Sequence, residues 1–218
     1  MSLLEQIKEF QKGFLEQVPE ETLKIMQSGT EKLIKSGIAE KCLKEGDKIP
    51  AFTLPNPKNE RVSSDIMLSK GPLVINFYRG AWCPYCNLEL RAYQEVLPEI
   101  LNLGAQLVAI SPNLPDNSLS SIEKHSLTFE VLSDIGNKIS RQFGLVFTLD
   151  ALLQPLYKQF GIDIPASNGD ESYELPIPAT YVVNPDGIIK LAFVDADYTK
   201  RLDPNEVIET LRNLSQKT

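Results

Sequence analysis

The chain has little of what would settle its class at once. Its 218 residues hold three cysteines, one histidine and one tryptophan. Three cysteines are too few for a disulfide-stapled secreted scaffold. A chain of this length buries roughly 70% of its unfolded surface, so it needs no such framework. Structural zinc asks for four ligands, and besides Cys83 and Cys86 the chain offers only Cys42 and His125, which argues against a metal centre. No apolar run approaches the roughly 20 residues of a membrane-spanning helix. The stretch from Met1 to Phe10 mixes acids with bases and has neither an apolar signal core nor a small-residue cleavage site. Basic residues are outnumbered 22 to 29, for a net charge of −7, and they are scattered, unlike the basic stripe of a nucleic-acid binder. The expectation is a soluble, cytoplasmic protein with reduced thiols and neither nucleic acid nor membrane as partner.

What is present reads as one α/β domain, residues 46–218, behind a helical extension, residues 1–45. Leu3, Ile7, Phe10, Phe14 and Val18 fall at helical spacing, and Pro19-Glu-Glu21 looks like a fresh helix start. A second apolar series, Leu23, Met26, Leu33 and Ile34, is interrupted near Ser28-Gly29 and stops at Gly37, which suggests two short helices before the main domain. The plain reading of their apolar faces is packing or dimerisation, as a homodimer, rather than a catalytic role.

After Gly46-Asp47 the pattern turns to short β-type runs at Phe52–Leu54 and Leu73–Tyr78, the second apolar enough for a central buried strand. A long helix is expected over Pro84–Leu103, kinked at Pro98, which removes a hydrogen bond and crowds the preceding turn. Its apolar positions lie on two sides, as in a helix packed against a sheet. A strand at Leu107–Ile110, a helix from Pro115 and strands at Phe129–Leu132, Thr180–Val183 and Ile188–Val194 follow. The last two strands are joined by the turn signal Asn184-Pro-Asp-Gly187. A closing helix spans Pro204–Leu214, and the stretch Asp163–Glu174 reads as a polar loop. Strands alternating with helices and ending in a hairpin describe a mixed central sheet covered on both faces.

The chemistry sits in Arg79-Gly-Ala-Trp-Cys-Pro-Tyr-Cys86. Cys83 and Cys86 are three apart where a buried strand gives way to a helix, so both can lie on one face of the first turn and form a disulfide. Unpaired N–H groups and the macrodipole at a helix N-terminus favour a thiolate. Pro84 suits the first helical turn. Arg79 can add positive charge beside the thiolate or be an ordinary surface or ion-paired arginine. Trp82 offers a flat apolar surface for docking, or serves as a core residue. His125 lies in a polar helix end and Cys42 in a stretch with no motif around it.

The order strand, Trp-Cys-x-x-Cys, kinked helix and Ile177-Pro178-Ala-Thr-Tyr-Val resembles the thioredoxin superfamily, which implies a cis Pro178 facing the disulfide, with backbone free to bind an extended partner. The longer pattern Gly46-Asp-Lys-Ile-Pro-Ala-Phe-Thr-Leu54, Asn76-Phe-Tyr78 and Tyr181-Val-Val-Asn-Pro-Asp-Gly187 resembles the peroxiredoxins of the alkyl hydroperoxide reductase and thiol-specific antioxidant branch, over about residues 46 to 200. Their Pro-x-x-x-Thr-x-x-Cys motif, laid on this chain, begins at Arg79, places Cys83 at the threonine and Cys86 at the peroxide-attacking cysteine. Glu89 falls where those enzymes often carry a glutamate. Their later arginine aligns with Pro178, so a peroxide-activating arginine is missing from its usual place. Cys-Pro-Tyr-Cys is also similar to the glutaredoxin motif.

Three functions remain open. The resemblance implies a peroxidase in which Cys86 attacks a peroxide and Cys83 resolves the sulfenic acid. A disulfide reductase would instead use the more exposed Cys83 as nucleophile. A redox-sensing module would use the disulfide to control assembly. Either enzyme needs no bound cofactor, and thioredoxin, glutaredoxin or glutathione is implied as electron donor.

Overall fold

The computed structural model describes residues 1–216. Helix α1, Leu3–Gln17, starts on a capping box: the Glu5 N–H donates to the Ser2 hydroxyl and the Ser2 N–H to the Glu5 carboxylate, which satisfies two otherwise unpaired donors. Helix α2, Glu20–Lys35, begins after Pro19 and runs unbroken through Ser28-Gly29. Gly29 does not interrupt it; a Cβ there would lie 2.6 Å from Leu153 Cδ1, so the glycine is what allows close packing. A short 3₁₀ turn at Ala39–Lys41 leads into the sheet region.

The elements then run β1 Thr53–Pro55, β2 Arg61–Ser63, α3 Ser64–Leu68, β3 Leu73–Phe77, α4 Pro84–Asn102, β4 Gln106–Ser111, α5 Pro115–His125 and β5 Glu130–Ser133. They continue as α6 Lys138–Gln142, β6 Val146–Thr148, α7 Leu153–Gln159, α8 Ile164–Asn168, β7 Glu174–Pro176, β8 Ala179–Val183, β9 Ile189–Val194 and α9 Pro204–Ser215. The main sheet has the order β5-β4-β3-β8-β9. β3, β4 and β5 are parallel, whereas β8 and β9 run antiparallel to their neighbours. β1 pairs with β2 and β6 with β7 in separate antiparallel ladders.

The strand alternation divides the core in two. On one face Val74, Leu107, Ala109, Val131 and Val182 pack with α1, α4 and α9; on the other Leu73, Ile75, Phe77, Val108, Ile110 and Tyr181 pack with Phe52, Met67 and Phe143. β3 is buried along its whole length, as a central strand covered on both faces must be. The two apolar sides of α4 have the same cause: one faces the sheet and the other meets α1 and α9. Leu3 and Ile7 of α1 are buried in that layer. Pro98 lies inside α4 without ending it.

The expected polar loop at Asp163–Glu174 holds a helix: 164–168 form α8 and Glu174 begins β7, with 169–173 as the connection. Asp163 caps α8 by accepting from the Ala166 N–H, and Ile164, Pro165 and Asn168 are buried. Two apolar residues and a cap in a short segment carry too little periodicity to be seen in sequence. Among the described residues no helix is long and apolar enough to cross a membrane.

Candidate active site

The strand–turn–helix junction places the two thiols. After β3, Gly80 adopts φ +151, and a Cβ there would stand 2.5 Å from Trp82 Nε1 and 2.9 Å from Asn113 Oδ1. Only glycine lets Trp82 fold back this tightly. The Ala81 N–H donates to Asn113 Oδ1 at 2.9 Å, and the Asn87 side-chain amide donates to the Ala81 carbonyl at 2.9 Å. Asn113 in turn donates to Asn168 Oδ1 at 2.8 Å, tying the active-site turn to α8. Cys83 is the N-cap of α4, Pro84 follows it, and Cys86 sits in the first turn.

Both cysteines are buried, Cys83 at 1% exposure and Cys86 at 0%, so neither is the exposed thiol that the reductase reading expects. The Cys86 thiol donates toward Cys83 Sγ at 2.7 Å. Their outlooks differ. Cys83 lines a cleft of about 440 Å³ whose walls include Phe14, Met26, Arg79, Trp82, Tyr157 and Tyr198, and Cys86 does not reach it. The N-terminal helices supply Phe14 and Met26, so they build part of the cleft.

The two thiols are also polarised in opposite directions. Burial raises Cys83, but the Cys86 hydrogen bond and the charges of Arg79 and Arg201 outweigh it, and its pKa falls below the ordinary thiol value. Burial and the bond to Cys83 push Cys86 well up, against a smaller pull from Arg201. The helix end therefore does not produce two thiolates: a second negative charge beside the first in a buried site is strongly disfavoured.

Arg79, at 2% exposure, is not an ordinary surface arginine. Its guanidinium carbon lies 5.1 Å from the Trp82 ring, 5.6 Å from that of Tyr157 and 4.5 Å from that of Tyr198, which is cation–π range. Its Nη2 donates to the Tyr157 hydroxyl at 2.6 Å. Trp82 is half-buried, edge-on to Tyr157 at 5.8 Å, so it is a cleft wall rather than an exposed docking plate.

Glu89, one turn beyond Cys86, accepts from Arg201 Nε at 2.6 Å, and both side chains are 1% exposed. Burial raises the Glu89 carboxyl to about 7, with Arg201 pulling the other way. Arg201 Nη2 donates to Cys86 Sγ at 3.2 Å, while Nη1 donates to the carbonyls of Tyr198 and Lys200. Asn76, Tyr93 and Thr180 extend this buried network to the other Glu89 oxygen.

Arg201 is the functional residue sequence reasoning missed. An arginine is indeed absent at the position of Pro178, but one reaches the sulfur from the β9–α9 connection, and Lys200-Arg-Leu-Asp203 carries no local sign of it. Pro178 departs from expectation as well. The peptide bond before it is trans, as are all those of the described residues. The Ile177 N–H is already given to the Leu145 carbonyl at 2.9 Å, so the β6–β7 ladder occupies backbone that was to receive a partner. Pro178 opens β8 and does not line the cleft. Cys42 is remote: its thiol donates to the carbonyls of Ile38 and Gly144, and burial pushes it up to about 12.

A parallel–antiparallel five-stranded sheet with a dithiol at the N-terminus of its central helix defines a thioredoxin-fold protein. Residues 45–192 match the AhpC/TSA family, and the chain belongs to it. The chain is 28% identical over 183 residues to the chloroplastic peroxiredoxin Q of Sedum lineare, covering 84% of this chain and 83% of that one. It is 31% identical over 103 residues to peroxiredoxin Bcp of Escherichia coli K12, covering 47% of this chain and 65% of that one. The fold superposes on the peroxidoxin BcpB of Mycobacterium tuberculosis with a TM-score of 0.63 at 22% identity, over 79% of this chain and 98% of that one.

Proposed function

We propose that this chain reduces hydroperoxides with the Cys83–Cys86 dithiol, Cys83 attacking and Cys86 resolving. The observation that carries the assignment is the division of the site: Cys83 faces the cleft beside Arg79, while Cys86 lies behind it on Arg201. The Cys83 thiolate attacks one peroxide oxygen, the O–O bond breaks, and the departing oxygen leaves with a proton as an alcohol or water. Cys86, as a thiol, then attacks the Cys83 sulfenic acid, forming the disulfide and releasing water. Arg201 stabilises the negative charge that develops on Cys86 as it gives up its proton. Two external thiol groups, which end as a disulfide, supply the two electrons and two protons that return the pair to the reduced state. The cleft of about 440 Å³ over the buried Cys83 favours a low-molecular-weight thiol such as glutathione over thioredoxin or glutaredoxin as that donor.

This assignment reverses the order implied by the peroxiredoxin motif, in which Cys86 attacks. It also disfavours a protein disulfide as substrate, because such a partner cannot touch Cys83 beneath its aromatic walls without moving them, whereas a small peroxide can enter.

Stopped-flow oxidation of the reduced protein by hydrogen peroxide, followed by Trp82 fluorescence, tests it. Cys83→Ser should lose the fast phase. Cys86→Ser should keep it and accumulate a sulfenic acid that dimedone traps at Cys83. The opposite pattern would return the attacking role to Cys86. Wild-type oxidation no faster than that of a free thiol, with insulin reduction that depends on Cys83, would establish the disulfide reductase instead.

A further inference from the structure

Breaking a peroxide bond expels a strong base, hydroxide or alkoxide, and attack at neutral pH is slow unless that oxygen meets a proton donor. We infer that Tyr157 is that donor: its phenol, held by Arg79, protonates the departing oxygen as Cys83 attacks. The inference rests on the reading that the chain reduces hydroperoxides through Cys83.

Tyr157 comes from α7, is 5% exposed and shares the walls of the cleft with Cys83. Its oxygen accepts from Arg79 Nη2 at 2.6 Å. A phenol oxygen that accepts this bond still has its own proton to give, and among the described residues that proton has no acceptor. Arg79 is a buried cation that forms no ion pair with a carboxylate among the described residues, and its Nε has no hydrogen-bond partner. Such a charge is costly unless a negative one sits beside it; the Cys83 thiolate is that charge in the reduced protein, and the reaction consumes it. Tyr198 offers Arg79 its ring face, whereas Tyr157 offers its oxygen, so of the two phenols it is Tyr157 whose hydroxyl Arg79 orients.

The step balances. The thiolate of Cys83 gives an electron pair to one peroxide oxygen and becomes a sulfenic acid. The O–O pair leaves with the second oxygen, which takes the phenolic proton and departs as water or alcohol. The negative charge thereby moves from sulfur to the Tyr157 phenolate without leaving the neighbourhood of Arg79, and water restores the proton.

Rate constants for oxidation of the reduced wild type and of Tyr157→Phe are to be compared with hydrogen peroxide, tert-butyl hydroperoxide and peracetic acid. Hydroxide and alkoxide need a proton to leave, while acetate, the conjugate base of a carboxylic acid, does not. Loss of a general acid should slow hydrogen peroxide and the alkyl hydroperoxide about 10²-fold, and peracetic acid less than about 3-fold. Equal losses with all three oxidants in a folded variant would overturn the inference, leaving Tyr157 a packing residue. If Tyr157→Phe fails to fold by circular dichroism, 3,5-difluorotyrosine at position 157 replaces it: the hydrogen peroxide rate should change with the acidity of the phenol and the peracetic acid rate should not, and parallel changes would overturn the inference. A wild type that no peroxide oxidises faster than a free thiol would instead remove the function on which the inference stands.

Discussion

Cys83 and Cys86 share a helical turn and stand 2.7 Å apart, yet their surroundings have different jobs. On the cleft side, Arg79 is caged by aromatic rings and, among the described residues, has no carboxylate partner and one nitrogen without a hydrogen bond. On the inner side, Arg201 is fully engaged by Glu89, by two carbonyls and by the Cys86 sulfur. The first cation is held ready for a charge that comes and goes. The second is held by a permanent partner and is part of the core. Equal residue types at one helix end acquire unlike reactivities because tertiary structure brings a differently satisfied arginine to each side.

Arg201→Met should do the most damage. It leaves the Glu89 carboxyl buried without its partner, and breaking a buried pair costs about 3–5 kcal/mol, readable as a lower urea midpoint. Adding Glu89→Leu should recover a large part of that loss. If it recovers nothing, the inner arginine acts through the sulfur or the carbonyls rather than through the ion pair. Gly80→Ala comes next. With φ at +151 and Trp82 Nε1 in the way, strain of about 1–3 kcal/mol is expected, together with altered Trp82 emission, since the cleft wall must move. A smaller loss with unchanged emission would show that the turn is not built around the glycine.

Arg79→Gln should be the mildest for stability and the most telling for chemistry. In the proposed mechanism the reactive species is the deprotonated Cys83, so the oxidation rate should rise with pH and level off above the pKa of that thiol. Arg79 helps hold this pKa below the ordinary value, so its loss should move the midpoint to higher pH. At neutral pH the rate should fall on the order of tenfold, equivalent to about 1.4 kcal/mol. An unmoved midpoint would assign the depression to Cys86, Arg201 and the helix end, and would weaken the contrast between the two sides.

Much of the scaffold was legible locally. The apolar run at Leu73–Tyr78 contains β3, Pro84 opens α4, and Asn184–Gly187 is the turn between β8 and β9, where the Gly187 N–H donates to the Asn184 carbonyl at 2.8 Å. These features depend on neighbours a few residues away, which periodicity and turn chemistry report directly. The interruption expected at Gly29 fails because that glycine serves a contact with Leu153 rather than a break. The thioredoxin-type role expected of Pro178 fails because the β6–β7 ladder claims the adjacent backbone, and the signal for a three-residue ladder is too weak to read.

By itself the sequence determined the dithiol, its place at a strand–helix junction, the glycine and proline that shape that junction, and the presence of Arg79 and Glu89 beside it. Only the tertiary structure decided which sulfur faces the cleft, which cation serves each sulfur and what completes the cleft. Arg201 reaches Cys86 across 115 residues of sequence, and Tyr157 reaches Arg79 across 78. Contacts at such separations are set by how the sheet and its covering helices pack, and they leave no periodic trace in the chain that makes them.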